Sequence, residues 1–126
     1  MRLNQDDNPA RFVIRAHGAG HVIVNNERYE GSLVLTPEQI RTGWPVAGME
    51  DLDDSALEWL LEGEPEVILL GTGEQQTFPS ARLVARLAQR GVGIECMDTG
   101  AACRTYAVLS SEGRRVALGL ILQMRH

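Results

Sequence analysis

Cys103 and Arg104 stand side by side in DTGAACRTY (98–106), just inside a segment that reads as the start of a helix. A thiol in that position has two aids to becoming a thiolate. The helix N-terminus and a neighbouring guanidinium both favour the anion. Arg104 has a second use, as a charged clamp for a carboxylate or phosphate. Upstream, VILLGTG (67–73) ends in Gly71-Thr72-Gly73, where backbone N–H groups can approach an anion. Thr99 adds a hydroxyl. Gly71, Thr72, Gly73, Thr99 and Arg104 are therefore the candidate ligand-binding residues, and Cys103 is the one candidate nucleophile.

Each has a plainer reading. Adjacent helix side chains diverge by about 100°, so Arg104 points away from Cys103 unless its long chain curls back. Ala102, Cys103, Ala107 and Ser110 make a small-residue face suited to close packing on a sheet, and cysteine is among the most buried residue types. No histidine occurs between residues 22 and 125, so a Cys–His pair must recruit His17, His21 or His126. The weight falls on a packed thiol. Position 76 is Gln, so G-T-G is not a dinucleotide fingerprint, and its glycines serve a tight turn equally well.

Other chemistries find less support. All twelve basic residues are arginine, which excludes Schiff-base chemistry, a lysine base and a Walker A lysine. Cys96 and Cys103, with six residues between them, match no common zinc spacing. His17 and His21 have a metal-binding spacing for a helix, yet Gly-Ala-Gly between them reads as a turn. Neither a metal nor a cofactor is expected. Glu95, Asp98 and Glu112 form no evident acid–base couple, and Asp98 has a helix-capping position.

The elements that must position these residues follow from pattern. FVIRA (12–16), VIV (22–24) and SLVLT (32–36) read as strands, with HGAGH (17–21) and Asn25-Asn26 as turns. EQIRTGW (38–44) leans to strand. Asp53 or Asp54 caps a helix carrying Ala56, Leu57, Leu60 and Leu61, stopped by Gly63 and Pro65. VILLG (67–71) is an apolar run without alternation, as in a strand covered on both faces. Pro79 suits a first helical turn; Leu83, Val84 and Leu87 then form an apolar stripe and Gly91 a C-cap. VGIECM (92–97) is a strand, Asp98 or Thr99 caps a third helix to about Ser110, and residues 114–124 read as a final strand. The pattern predicts one α/β domain over 1–126 after a loose lead-in at 1–10. It has a β-rich N-terminal third and a β-α-β-α-β C-terminal core.

A β-α-β crossover makes 67–71 and 92–97 parallel neighbours. Their carboxyl ends then share one sheet edge, where ligands of open α/β sheets bind. That brings 71–73 and 98–104 to one crevice.

Charge is uneven. Residues 1–78 sum to −9 and residues 79–126 to +4, within a total of −5. Arg82, Arg86 and Arg90 repeat at i, i+4, i+8 on an outer helix face. They and Trp44, an aromatic near a turn, are candidate partner-surface residues, although a structural role for the tryptophan is the commoner one. The acidic balance argues against nucleic acid. No apolar run approaches the ~20 residues of a membrane span, and MRLNQDDNPA lacks the apolar core of a secretory signal. A reducing cytoplasm is the expected setting.

MDTGAACRTYAVLSSEGRRVALGLI (97–121), with VILLGTGEQQTFP (67–79), resembles a small family long labelled a domain of unknown function. Its members include a mitochondrial assembly factor for respiratory complex I and an adipogenesis-associated protein. The shared pattern is an apolar strand ending in G-T-G and a Phe/Pro before a helix. M-D-T-x-x-A-x-R-T-Y and E-G-R-R follow, ahead of the last strand. Ala107 departs from it, since many relatives have asparagine after the tyrosine. The resemblance implies a three-layer α/β fold with a mixed central sheet and an additional β layer, and supplies no catalytic activity. The favoured reading is a non-catalytic binding or assembly module whose partner is another protein or a second copy. The alternative is a small-anion crevice, enzymatic if Cys103 is its nucleophile.

Overall fold

The unalternating run VILLG lies at the middle of the molecule, and a computed structural model shows what covers it. Residues 10–74 and 77–122 are described. The expected lead-in falls, except for Ala10, outside the described residues. Strands β1 (Ile14–Gly18), β2 (His21–Val24) and β3 (Glu27–Glu30) form an antiparallel meander. Strands β4 (Leu33–Leu35) and β5 (Ile40–Thr42) follow. After them come helix α1 (Asp54–Leu61), β6 (Val67–Gly71), α2 (Ala81–Gln89), β7 (Gly93–Met97), α3 (Thr99–Ser111) and β8 (Val116–Leu120). The last five strands make a mixed sheet in the order β5-β4-β8-β6-β7. In it β6 runs parallel to β7 and β8, and β4 antiparallel to β5 and β8.

Both faces of this sheet are buried. Ile68 and Leu70 of β6 join Leu57, Leu60, Leu83 and Leu87 in a core under α1 and α2. Leu69 points the other way, into a core with Ala102, Cys103 and Tyr106 of α3 and Val22 and Val24 of the meander. Each fully buried Leu or Val contributes roughly 1.5–3 kcal/mol, so a polar residue at any of these positions would be costly. The architecture is three-layered: two helices, the mixed sheet, then α3 beside the three-stranded sheet.

Local chemistry sets the boundaries. Asp53 accepts from Ala56 N at 2.8 Å, Ser80 Oγ from Leu83 N at 3.2 Å and Asp98 from Ala101 N at 2.8 Å. Each side chain thus engages an N–H that the first turn leaves without a partner. Pro79 is not in the first turn as its type predicts; Ser80 is the cap and the proline precedes it. The first turn of the meander is Ala19-Gly20, with both histidines in strands. The final strand is shorter than its apolar pattern, ending at Leu120, and residues 123–124 of that expectation lie outside the described residues.

Trp44 is not a surface anchor. It is 3% exposed, and its Nε1 donates to Ala56 O at 3.1 Å. Its ring fills a slot opened by Gly119 of β8, where a Cβ would stand 2.7 Å from Trp44 Cη2. This glycine is required by a close approach rather than by a turn.

Candidate functional site

The parallel strands end together, and the loops beyond them meet as the topology requires. Thr99 N donates to Gly73 O at 2.8 Å, and Gly73 N donates back to Thr99 Oγ1 at 3.0 Å. Thr72 N and Thr72 Oγ1 both donate to Met97 O, at 2.9 and 3.2 Å. Gly71 O accepts from Ile121 N at 2.9 Å. Residues 71–73 and 97–99 therefore meet, and their polar groups are tied largely to each other. The anion-cradle reading of Gly71, Thr72 and Gly73 is corrected accordingly. Gly73 N is engaged by a threonine, Thr72 N by a carbonyl, and Gly71 is a β6 residue in the sheet ladder. Gly71 has a packing role. A Cβ there would stand 2.7 Å from Leu120 Cδ2 and 3.3 Å from Thr99 Cα, so the bare backbone lets α3 seat on the sheet. Gly73 adopts φ +90° and supplies the turn.

Cys103 is 3% exposed among the α3 core residues. Burial pushes its thiol up to about 11, and the nearby Arg104 charge only partly opposes this. Cys96 is likewise buried and pushed up to about 11 by desolvation. Burial of this kind favours the protonated thiol, which weighs against Cys103 as a nucleophile.

Arg104 reaches back one turn along α3, to Gly100. A Cβ on Gly100, one turn earlier, would lie 3.3 Å from Arg104 Nη1 and 3.1 Å from His17 Cε1. Arg104 and His17 thus sit together over the start of α3. His21 lies elsewhere. It pairs with Gly18, whereas His17 pairs with Val22, so the two histidines point to opposite faces of the meander. Around this mouth runs an open cleft of ≈ 1140 Å³, lined by residues 17–20, 47–50, 72–74, 98–100 and Ile121-Leu122, together with Thr77. Small-molecule pockets typically span roughly 300–1,000 Å³. The walls at 17–20 and 47–50 carry no motif. They reach the cleft because the meander and the loop before α1 fold over the sheet ends, which local patterning does not encode.

Other residues of 97–121 make contacts within the fold. Thr105 Oγ1 lies 3.5 Å from Met97 Sδ, and Tyr106 OH donates to Phe12 O at 3.2 Å, pinning α3 to the bend before β1. Burial raises the Tyr106 hydroxyl well above its ordinary value. Arg114 pairs with Glu66, which holds the Glu66 carboxyl below its ordinary value, and Arg115 Nε donates to Glu64 O at 3.1 Å. These two arginines clamp the start of β8 to the start of β6.

The Arg82/Arg86/Arg90 stripe is not an open basic patch. Arg86 pairs with Asp54, Arg82 lies 3.9 Å from Asp54, and Arg90 lies 3.6 Å from Glu58. The arginines lean on the acids of α1. Three large apolar side chains are instead exposed: Phe78 at 69%, Val108 at 55% and Val84 at 41%.

A family model described as "Protein of unknown function (DUF498/DUF598)" matches residues 14–121. The chain belongs to this family. Among its relatives, the bovine NADH dehydrogenase (ubiquinone) 1 alpha subcomplex assembly factor 3 is 30% identical over 123 residues. The match covers 96% of this chain and 66% of that protein, just under two thirds of its length. A Francisella tularensis protein named 13 kDa major membrane protein is 29% identical over 122 residues, covering 96% of this chain and 99% of that one. A solution structure from Xanthomonas campestris superimposes with a TM-score of 0.82 at 41% identity, covering 100% and 98% of the two chains. The three-layer fold is thus that of the family. Among the described residues no helix is long and apolar enough to cross a membrane.

Proposed function

We propose that this chain is an assembly-type module that acts through protein–protein contacts, in a reducing cytoplasm. The observation that carries this reading is the division of its surface. The groups a small ligand would need in the crevice are bonded to one another, whereas large apolar side chains stand in solvent. Large apolar side chains in solvent are available to a partner protein. The relationship to assembly factors supports the same class of role. Arg82 and Arg90 keep part of their surface open beside α1 and can rim such a contact.

One observation favours a second reading. Arg104 and His17 converge over Gly100 at the cleft mouth, and a carboxylate or phosphate would suit that pair. Native mass spectrometry of the chain purified from its own host separates the two. A stoichiometric added polypeptide is the expected result. A bare chain, or a small anionic adduct lost in Arg104→Ala, contradicts the assembly reading.

A further inference from the structure

The end of the sheet opposite the crevice has a hollow of its own. There the amino ends of β6 and β8 lie side by side, with Val67 opposite Val116. The β4–β5 turn, the loop from α1 to β6 and the loop from α3 to β8 border an open cavity of ≈ 300 Å³. Pro37, Pro65 and Val116 give it apolar wall, and Glu38, Arg114 and Arg115 are its charged lining residues. That volume is at the small end of ligand pockets, which span roughly 300–1,000 Å³.

The charges of this lining are not all engaged within the fold. Arg114 pairs with Glu66. Arg115 uses only its Nε, which donates to Glu64 O at 3.1 Å, and its two Nη groups have no hydrogen bond or ion pair among the described residues. The Nε bond holds the guanidinium in place and leaves its outer fork available, the geometry that grips a carboxylate with two parallel bonds. The carbonyl that anchors it belongs to Glu64, whose φ is 52° although it carries a Cβ and precedes Pro65. The left-handed region is unfavourable for such a residue, and strain of this kind concentrates at functional sites. On the β4–β5 turn, Glu38 is exposed and its carboxylate has no hydrogen bond or ion pair among the described residues; only its N–H is used, by Thr36 Oγ1. Helix α3 ends at the same cavity, with Ser110 and Gly113 in the wall. A helix C-terminus carries negative partial charge.

We propose that this cavity binds a small zwitterion of the free amino-acid class. Its carboxylate would sit on the Arg115 fork, its ammonium beside Glu38 and the end of α3, and its carbon skeleton against Pro37, Pro65 and Val116. Charge selects this class. With Arg114 paired, the lining keeps one cation and one carboxylate. A simple anion would meet Glu38 and the end of α3 as well as Arg115, and a simple cation would meet the guanidinium. The site is at the far end of the sheet from the crevice and stands independently of the protein-binding reading.

The test is amide chemical-shift titration of the full chain with each of the twenty free amino acids and with 4-aminobutyrate, whose two charges are further apart, at millimolar concentration. At least one probe should shift residues 38–39, 66 and 113–116. Its methyl ester, which lacks the carboxylate, and its N-acetyl derivative, which lacks the ammonium, should bind at least tenfold more weakly. Arg115→Ala and Glu38→Gln should each weaken it by a similar factor, with circular dichroism checking the fold. If Arg115→Ala loosens the start of β8, Glu38→Gln at its exposed turn and the two derivatives decide. Binding indifferent to Glu38→Gln and to the derivatives, or shifts confined to residues 17–20, 72–74 and 98–100, would overturn the site. Acetate or inorganic phosphate binding as tightly as the best probe would overturn the zwitterion in favour of a simple anion. No shift from any probe would overturn the proposal outright. Each of these failures leaves the protein-binding reading, which native mass spectrometry tests, where it stood.

Discussion

On one flank of α2, Arg82, Arg86 and Arg90 lean on Asp54 and Glu58 of α1. On the other, Val84 and Ala88 are exposed, with no charged residue of the same helix among them. The inner line between, Leu83 and Leu87, is buried. One nine-residue helix therefore has a core face, a face sutured to its neighbour and a face turned outward. The lesson is that charge at regular spacing does not by itself mark a partner surface. When the next helix carries complementary acids, the charge is engaged inside the fold, and the apolar residues left over are the better marker of an interface.

Substitutions can break this comparison at graded cost. Leu83→Ala empties a buried position and should destabilise by about 2–5 kcal/mol, read by urea denaturation. A loss below about 1 kcal/mol would mean that α2 does not sit on the core as described. Alkaline titration probes the same inner face, because Cys96 lies beneath it. A thiol buried neutral keeps its proton where the unfolded chain loses it. Stability should therefore fall as pH rises from the ordinary thiol value of 9.0 toward about 11. Cys103 adds to the same window, so a flat profile there would contradict the burial of both thiols. Arg86→Glu places an acid against Asp54 and Glu58. It should cost about 1 kcal/mol, shrinking in high salt, since exposed pairs are each worth roughly 0.2–1 kcal/mol. Val84→Asp should change stability by less than about 0.5 kcal/mol. A cost as large as that of Arg86→Glu would show that the outer flank is also packed within the chain.

Much of the fold was legible in the sequence. The unalternating VILLG, the strand–helix–strand spacing to GIECM and the caps at Asp53 and Asp98 are local signals, and they yield the parallel core and its shared loop edge. The site was half legible. Parallel strands force 71–73 and 98–100 together, but that Thr99 would engage both polar groups of Gly73 depends on a register set by side-chain packing. Trp44 was ambiguous for a similar reason: its slot exists because Gly119, far along the chain, has no side chain. The pairing of the arginine stripe with α1 needed the relative placement of two helices, which neither helix's own pattern contains. His17 meets Arg104 only because the meander packs beside α3.

Site-specific photo-crosslinking in the native host tests the central claim most directly. A benzophenone amino acid is placed at Val84 or, on the sutured flank, at Arg82. A crosslink to one partner polypeptide is expected from position 84, and little from position 82. Crosslinking from position 82 with none from 84 would contradict the account.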